Sequence, residues 1–145
     1  MFIRDVLSVK AGSEIVGIEP DAPISEAVKR LVEKDIGSLV VMHDGRMVGF
    51  ITERDIMRGM HAHGCSLADV KVSELMEKEP VLCNPDDSVD YARDVLTKSR
   101  LSHLVVMDNN QLLGVISFHD VAKACLKQAN FENSLLKRYI RNWPE

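Results

Sequence analysis

Leu39-Val40-Val41-Met42 and Leu104-Val105-Val106-Met107 spell the same four residues 65 positions apart. Moving outward from both at that fixed spacing, without a gap, Gly49, Ile51 and Asp55 meet Gly114, Ile116 and Asp120. On the other side Leu31, Ala27 and Pro20-Asp21 meet Leu96, Ala92 and Pro85-Asp86. A register held this long marks one supersecondary unit used twice. Two copies back to back create two equivalent clefts.

Each copy reads in the same order. A short apolar strand (Ile15 to Ile18; Val81 to Cys83) runs into a Pro-Asp turn. A helix follows, with Ile24, Ala27, Val28 and Leu31, or Val89, Ala92, Val95 and Leu96, at helical spacing. The four-residue apolar run is short enough for a buried strand. A polar turn, His43-Asp44-Gly45-Arg46 or Asp108-Asn109-Asn110-Gln111, joins it to a second apolar strand (Met47 to Ile51; Leu112 to Ile116), which predicts a hairpin. A second helix starts near Glu53 and near Phe118. The fold class is α/β (α+β): two β-α-β-β-α repeats packed with pseudo-two-fold symmetry as one module. The expected boundaries are 8–64 for repeat 1, 65–75 for a linker helix, 76–130 for repeat 2 and 131–145 for a C-terminal amphipathic helix or tail. Leu67 to Glu77 carries a helical pattern. Leu135, Leu136, Tyr139 and Ile140 share one face of a final helix over Phe131 to Trp143, with Trp143 as a possible anchor of the tail.

Composition narrows the function. The 145 residues are 46% hydrophobic and 28% charged, which is ordinary globular usage for one core. A net charge of −4 with the signs interspersed gives no basic stripe for nucleic acid. Cys65, Cys83 and Cys125 are an odd set without close pairing, which fits a reducing cytoplasm. Neither a signal core nor a run of the roughly 20 apolar residues that span a bilayer is visible, so no membrane partner is expected. His61, His63 and Cys65 alternate, but no second cluster completes a tetrahedral metal set. No nucleophile–base pair, Gly-x-Ser-x-Gly or Walker sequence is present, which argues against an enzyme.

The chemistry sits where the second strand of each copy ends. Gly49-Phe50-Ile51-Thr52-Glu53-Arg54-Asp55 and Gly114-Val115-Ile116-Ser117-Phe118-His119-Asp120 share Gly, hydroxyl and Asp, while the residues between them vary. One reading is structural: a hydroxyl followed three residues later by an acid is a capping box. The other is a ligand site. A helix N-terminus attracts anions, a hydroxyl donates to a phosphate oxygen, and an Asp one turn in accepts from two adjacent ribose hydroxyls. Glycine lets backbone come close to a ligand. Recurrence in register favours the site, and these residues suit a nucleotide.

The repeat order, the Val-Val-Met strand, the duplicated Gly-x-x-Thr/Ser-x-x-Asp element and the linker Val72-Ser73-Glu74-Leu75-Met76 resemble tandem CBS domains, named after cystathionine beta-synthase. The resemblance runs from about Asp5 to about Ala129 and is to the free-standing bacterial type, with no catalytic domain attached. It implies a cytoplasmic regulatory module that binds an adenosyl ligand (AMP, ADP or ATP first, NAD or S-adenosylmethionine next) between the repeats and transmits occupancy to a partner protein. It also implies a homodimer through the helices at about Arg54 to Met60 and Phe118 to Lys127. The alternative is a structural dimerisation adaptor without nucleotide. Carried onto this chain, the ribose acids are Asp55 and Asp120 and the hydroxyls Thr52 and Ser117. The base contacts are Val16, Ile18 and Phe50 in one copy, and Val81, Cys83 and Val115 in the other. Phosphate contacts come from the opposite repeat: Ser102, His103 and His119 for the Asp55 cleft, and Gly37, Ser38 and Arg54 for the Asp120 cleft. The two clefts then differ on their phosphate side, guanidinium against imidazole.

Overall fold

A seven-residue helix, α1 (Ile3–Val9), leads into β1 (Gly17–Ile18), α2 (Ile24–Lys34), β2 (Ser38–His43), β3 (Arg46–Thr52) and α3 (Glu53–Ala62). A four-residue helix, α4 (Val72–Leu75), then leads into β4 (Leu82–Cys83), α5 (Val89–Ser99), β5 (His103–Asp108), β6 (Gln111–Ser117) and α6 (Phe118–Arg141). These elements come from a computed structural model that describes residues 1–10 and 15–142. The order strand, helix, strand, strand, helix therefore occurs twice, as the repeat predicts, in a mixed α/β fold with two three-stranded sheets.

In each sheet the central strand is parallel to the first and antiparallel to the third. His43 pairs with Arg46 and Asp108 with Gln111, so each hairpin turns on two residues. Asp44 and Gly45, and likewise Asn109 and Asn110, have positive φ. That is the turn whose twist matches paired strands, and Asp, Asn and Gly tolerate it best. Both hairpins also slip register at the same place, between Val41 and Met42 and between Val106 and Met107.

The cores are built alike. Leu39, Val41 and Ile51 pack with Ile24, Ala27 and Leu31 of α2. Their counterparts Leu104, Val106 and Ile116 pack with Val89, Ala92 and Leu96 of α5. Each of these buried Leu, Ile and Val side chains contributes about 1.5–3 kcal/mol relative to exposure. Val40, Phe50 and Val105 alternate with these residues along their strands and are also buried. The apolar runs thus belong to strands covered on both faces.

The chain divides into two compact units, Met1–Gly12 with Leu82–Glu145, and Ser13–Val81. Helix α1 precedes the first repeat but completes the second. The Ile3 N–H donates to the Asp87 carbonyl, Arg4 to Pro85, and Val89 to Met1. The four-residue α4 does the same for the first repeat: Val72 donates to Ala22, Ser73 to Pro20, and Ile24 to Val70. Each leader is closed by an acid reaching back to a backbone N–H, Asp5 to Phe2 and Glu74 to Lys71.

Those bonds explain where the observed elements depart from the expected ones. Leu67 to Glu77 reads as one helix, yet only Val72–Leu75 is helical, because the backbone of residues 70–73 pairs with the turn at Pro20–Ile24 instead. The final helix is not a separate element. No Gly or Pro lies between Phe118 and Arg141, so α6 runs on for 24 residues, about 36 Å. Only Val121 of it is buried, and Phe131, Leu135, Leu136, Tyr139 and Ile140 are exposed. The expected anchor Trp143 lies outside the described residues. No helix among the described residues is long and apolar enough to cross a membrane.

Candidate functional site

In the Ser13–Val81 unit, β3 ends at Thr52, whose extended backbone makes it the N-cap of α3. Its hydroxyl oxygen accepts the Asp55 N–H at 3.3 Å, and Asp55 Oδ2 accepts the Thr52 N–H at 2.9 Å. The Thr52 hydroxyl also lies 3.1 Å from Asp55 Oδ2, to which it donates. In the other unit, Ser117 Oγ accepts the Asp120 N–H at 3.0 Å and Asp120 Oδ2 accepts the Ser117 N–H at 2.8 Å. Both copies are therefore closed capping boxes. Each also places a half-buried carboxylate, 17% and 19% exposed, beside a helix N-terminus. The cap engages Oδ2, and a carboxylate has further lone pairs to offer a ligand.

Strand register places Ser38 opposite Thr52 and His103 opposite Ser117, each beside the cap of its own half, whereas the resemblance assigns them to the cleft of the opposite repeat. The Gly37 carbonyl accepts the Glu53 N–H, and the Ser102 carbonyl the Phe118 N–H, so these two residues cap the first turns of α3 and α6. Ser102 Oγ lies 2.9 Å from His103 Nδ1. Arg54 and His119 occupy exposed positions on those first turns. Phe50 is buried, Val115 half-buried and Val81 exposed. Ile18 and Cys83, expected against a base, are instead core side chains at 3% and 6% exposure. Strand alternation turns them inward. Burial, reinforced by the negative charge of Asp87, pushes the Cys83 thiol up to about 12, so it stays protonated and unreactive.

The motif glycines have a structural reason that the sequence reading assigned to a ligand. A Cβ on Gly49 would land on Met76 Sδ and lie 2.9 Å from its Cγ and 3.2 Å from the Glu77 carbonyl. One on Gly114 would lie 2.9 Å from Leu7 Cδ2. Each leader segment, Leu7 within α1 and Met76 just past α4, lays a side chain across the strand of the half it completes, and glycine makes room.

Lys10 was not singled out from sequence. It caps the C-terminus of α1, and its Nζ donates to Asp120 Oδ2 at 2.8 Å and to the Val115 carbonyl at 3.0 Å. Burial works against the charged form of Asp120. The hydrogen bond and charge of Lys10, with the bonds from Ser117, outweigh it and hold the carboxyl below its ordinary value of 3.8. The sequence offers only a partial signal for Lys10: Phe2 to Leu7 aligns with Lys71 to Met76 as a second leader, with Lys10 one turn beyond Leu7, but the alignment does not say which half α1 completes. In the first half the chain behaves differently after its leader. Glu77 exchanges two backbone hydrogen bonds with Phe50, at 2.9 and 2.7 Å, and the position matching Lys10 is the exposed Glu79. Arg58 Nη1 stands 3.9 Å from Asp55 Oδ1. Among the described residues no three His, Cys, Asp or Glu come together as a metal set.

The chain is similar to known proteins. The CBS domain family matches the chain twice, over residues 3–62 and 72–127. The mitochondrial CBS domain-containing protein CBSX3 of Arabidopsis thaliana is 31% identical over 147 aligned positions, 96% of this chain and 71% of that protein. The crystal structure of a CBS-domain containing protein from Agrobacterium tumefaciens superposes with a TM-score of 0.80 at 34% identity, covering 86% of this chain and 98% of that one. The CBS domain pair of protein MJ0100, solved in complex with 5′-methylthioadenosine and S-adenosyl-L-methionine, superposes with a TM-score of 0.74 over 88% of this chain and 98% of that one; at 22% identity the likeness is one of fold. With the family matching both halves and its element order built in each, this chain belongs to the CBS-domain family as a tandem pair of CBS domains.

Proposed function

We propose that this chain is a regulatory module that binds an adenosyl ligand, AMP, ADP or ATP before NAD or S-adenosylmethionine, and passes occupancy to a partner protein without catalysing a reaction. The observation that carries the reading is the same half-buried hydroxyl–carboxylate pair at a helix N-terminus, built twice: Thr52 with Asp55, and Ser117 with Asp120. The carboxylates accept from ribose hydroxyls, and each hydroxyl stands at a helix N-terminus, the pole that favours a phosphoryl group. Phe50 and Val115 lie against the base. Gly37, Ser38, Arg54, Ser102, His103 and His119 supply phosphate contacts. The two ligands of MJ0100 have the adenosyl group in common, which supports that ligand class. Occupancy acts on a partner only through different affinity for two states of the module. Exposed Met57 and Met60 on α3, and Phe118 and Leu126 on α6, supply apolar surface for a homodimer through these helices.

A thermal-shift series with AMP, ADP, ATP, NAD and S-adenosylmethionine tests the reading. A ligand at 100 times its Kd stabilises the folded chain by about 2.7 kcal/mol, and the shift disappears in the Asp55→Ala, Asp120→Ala double variant. The competing reading is a dimerisation adaptor whose motifs are caps alone, favoured by the closure of both boxes within the chain itself. It expects no shift with any adenylate, and a loss of about 1 kcal/mol per cap removed.

A further inference from the structure

The two carboxylates have the same cap and different company. We propose that Lys10 sets the two sites apart: its ammonium holds the acceptors that an adenosyl ligand needs in the Asp120 half, so that half binds only when Lys10 is displaced, while the Asp55 half binds first. The proposal rests on the adenosyl reading above and goes beyond it by naming which half is open and what closes the other.

The geometry supplies the argument. Lys10 Nζ bonds both the Asp120 carboxylate, at 2.8 Å, and the Val115 carbonyl, at 3.0 Å. These are the ribose acid and the backbone of the base-contact residue. Ribose hydroxyls are neutral donors and the ammonium is a charged one. A charge-assisted hydrogen bond is roughly twice as strong as a neutral one. The lysine is also delivered by a fixed element. Ile3 and Val6 of α1 are buried in the core of the same unit, and residues 1–4 are tied by backbone bonds to residues 85–89. Its positive charge ends α1 at the helix pole that favours a cation, and its partner Asp120 sits at the α6 pole that favours an anion. Lys10 and Asp120 are 34% and 19% exposed, so the pair is partly withdrawn from solvent and still able to open. In the first half the matching position is Glu79, so the leader brings no cation to Asp55. The Phe50 carbonyl accepts the Glu77 N–H, and the exposed Arg58 stands 3.9 Å from Asp55 Oδ1, beyond hydrogen-bond distance.

A site whose lysine is swung out about a tenth of the time binds about ten-fold more weakly than its intrinsic affinity. Titration calorimetry of the full chain with AMP, ATP and S-adenosylmethionine in turn measures this in the wild type, Asp55→Asn, and Asp55→Asn combined with Lys10→Met or Lys10→Arg. Asp55→Asn leaves only the weak site. Lys10→Met on that background strengthens it by about ten-fold, and Lys10→Arg, which keeps the charge, does not. An unchanged or weakened site in the Lys10→Met variant overturns the role of the lysine and leaves the adenosyl reading standing. Absence of binding in every form overturns both. A second readout needs no variant. After reductive methylation with ¹³C, the Lys10 signal moves when AMP saturates the weak site, and a signal unmoved at saturation overturns the proposal.

Discussion

Asp55 and Asp120 close the same capping box at the end of the same strand, and the chain that follows each leader helix makes them different. After α4 the chain leaves the helix and pairs as an extended segment with Phe50. After Leu7, helix α1 continues through Val9 and brings Lys10 against Asp120. Duplication thus preserved the cap, the glycine and the core, while the segment outside the repeat register changed the electrostatics. Equivalent motifs do not make equivalent sites when the third contributor comes from elsewhere in the chain.

The largest effects probe what the halves share. Leu39→Ala and Leu104→Ala each remove a side chain 1% exposed from matching cores, and each costs about 3 kcal/mol in urea unfolding. A difference larger than about 1 kcal/mol between them would show that the cores close around a cavity differently.

The motif glycines come next and separate the halves. Gly49→Ala meets Met76 and the Glu77 carbonyl, and a backbone atom cannot swing aside. Gly114→Ala meets only the end of Leu7. The expected losses are about 2 and about 1 kcal/mol, read from thermal or urea unfolding. Equal losses would mean that the Glu77 backbone yields as readily as a leucine methyl.

Smaller again is the charge at the caps. Asn retains a carbonyl oxygen for the backbone N–H, so Asp55→Asn is mild. Asp120→Asn also forfeits the charge facing Lys10 and costs about 1 kcal/mol more at low salt. Lys10→Met and Asp120→Asn together lose less than the sum of the two, since they share one interaction.

The smallest effect is acidic. Asp120 has a folded-state pKa below its ordinary 3.8, so its contribution is complete above that value and is lost as pH falls through the folded one. Stability measured against pH below 3.8 therefore falls less steeply in Asp120→Asn than in the wild type. An unchanged slope would show that the Lys10 and Ser117 bonds do not persist in solution.

How much could be read in advance differs by feature. The hairpins were legible because His43-Asp44-Gly45-Arg46 and Asp108-Asn109-Asn110-Gln111 carry residues that accept positive φ. The caps at Thr52 and Ser117 were legible because a capping box is a contact between residues three apart. Ile18 and Cys83 were read as ligand contacts because a two-residue strand is too short for alternation to declare its inner face. The role of Gly49 and Gly114 was hidden for another reason: the side chains that require them, Met76 just past α4 and Leu7 in α1, belong to the leader segments.

Local spacing alone determined the repeat, the order of its elements and the duplicated hydroxyl–acid pair, because periodicity, turn chemistry and capping act between neighbours in the chain. Only the tertiary structure decided that each leader completes the half it does, and that Lys10 lies on Asp120, 110 residues away. A contact at that separation leaves no period in the sequence. It is fixed by which buried surface Ile3 and Val6 find, and by which backbone groups at residues 85–89 accept and donate the hydrogen bonds that hold them there.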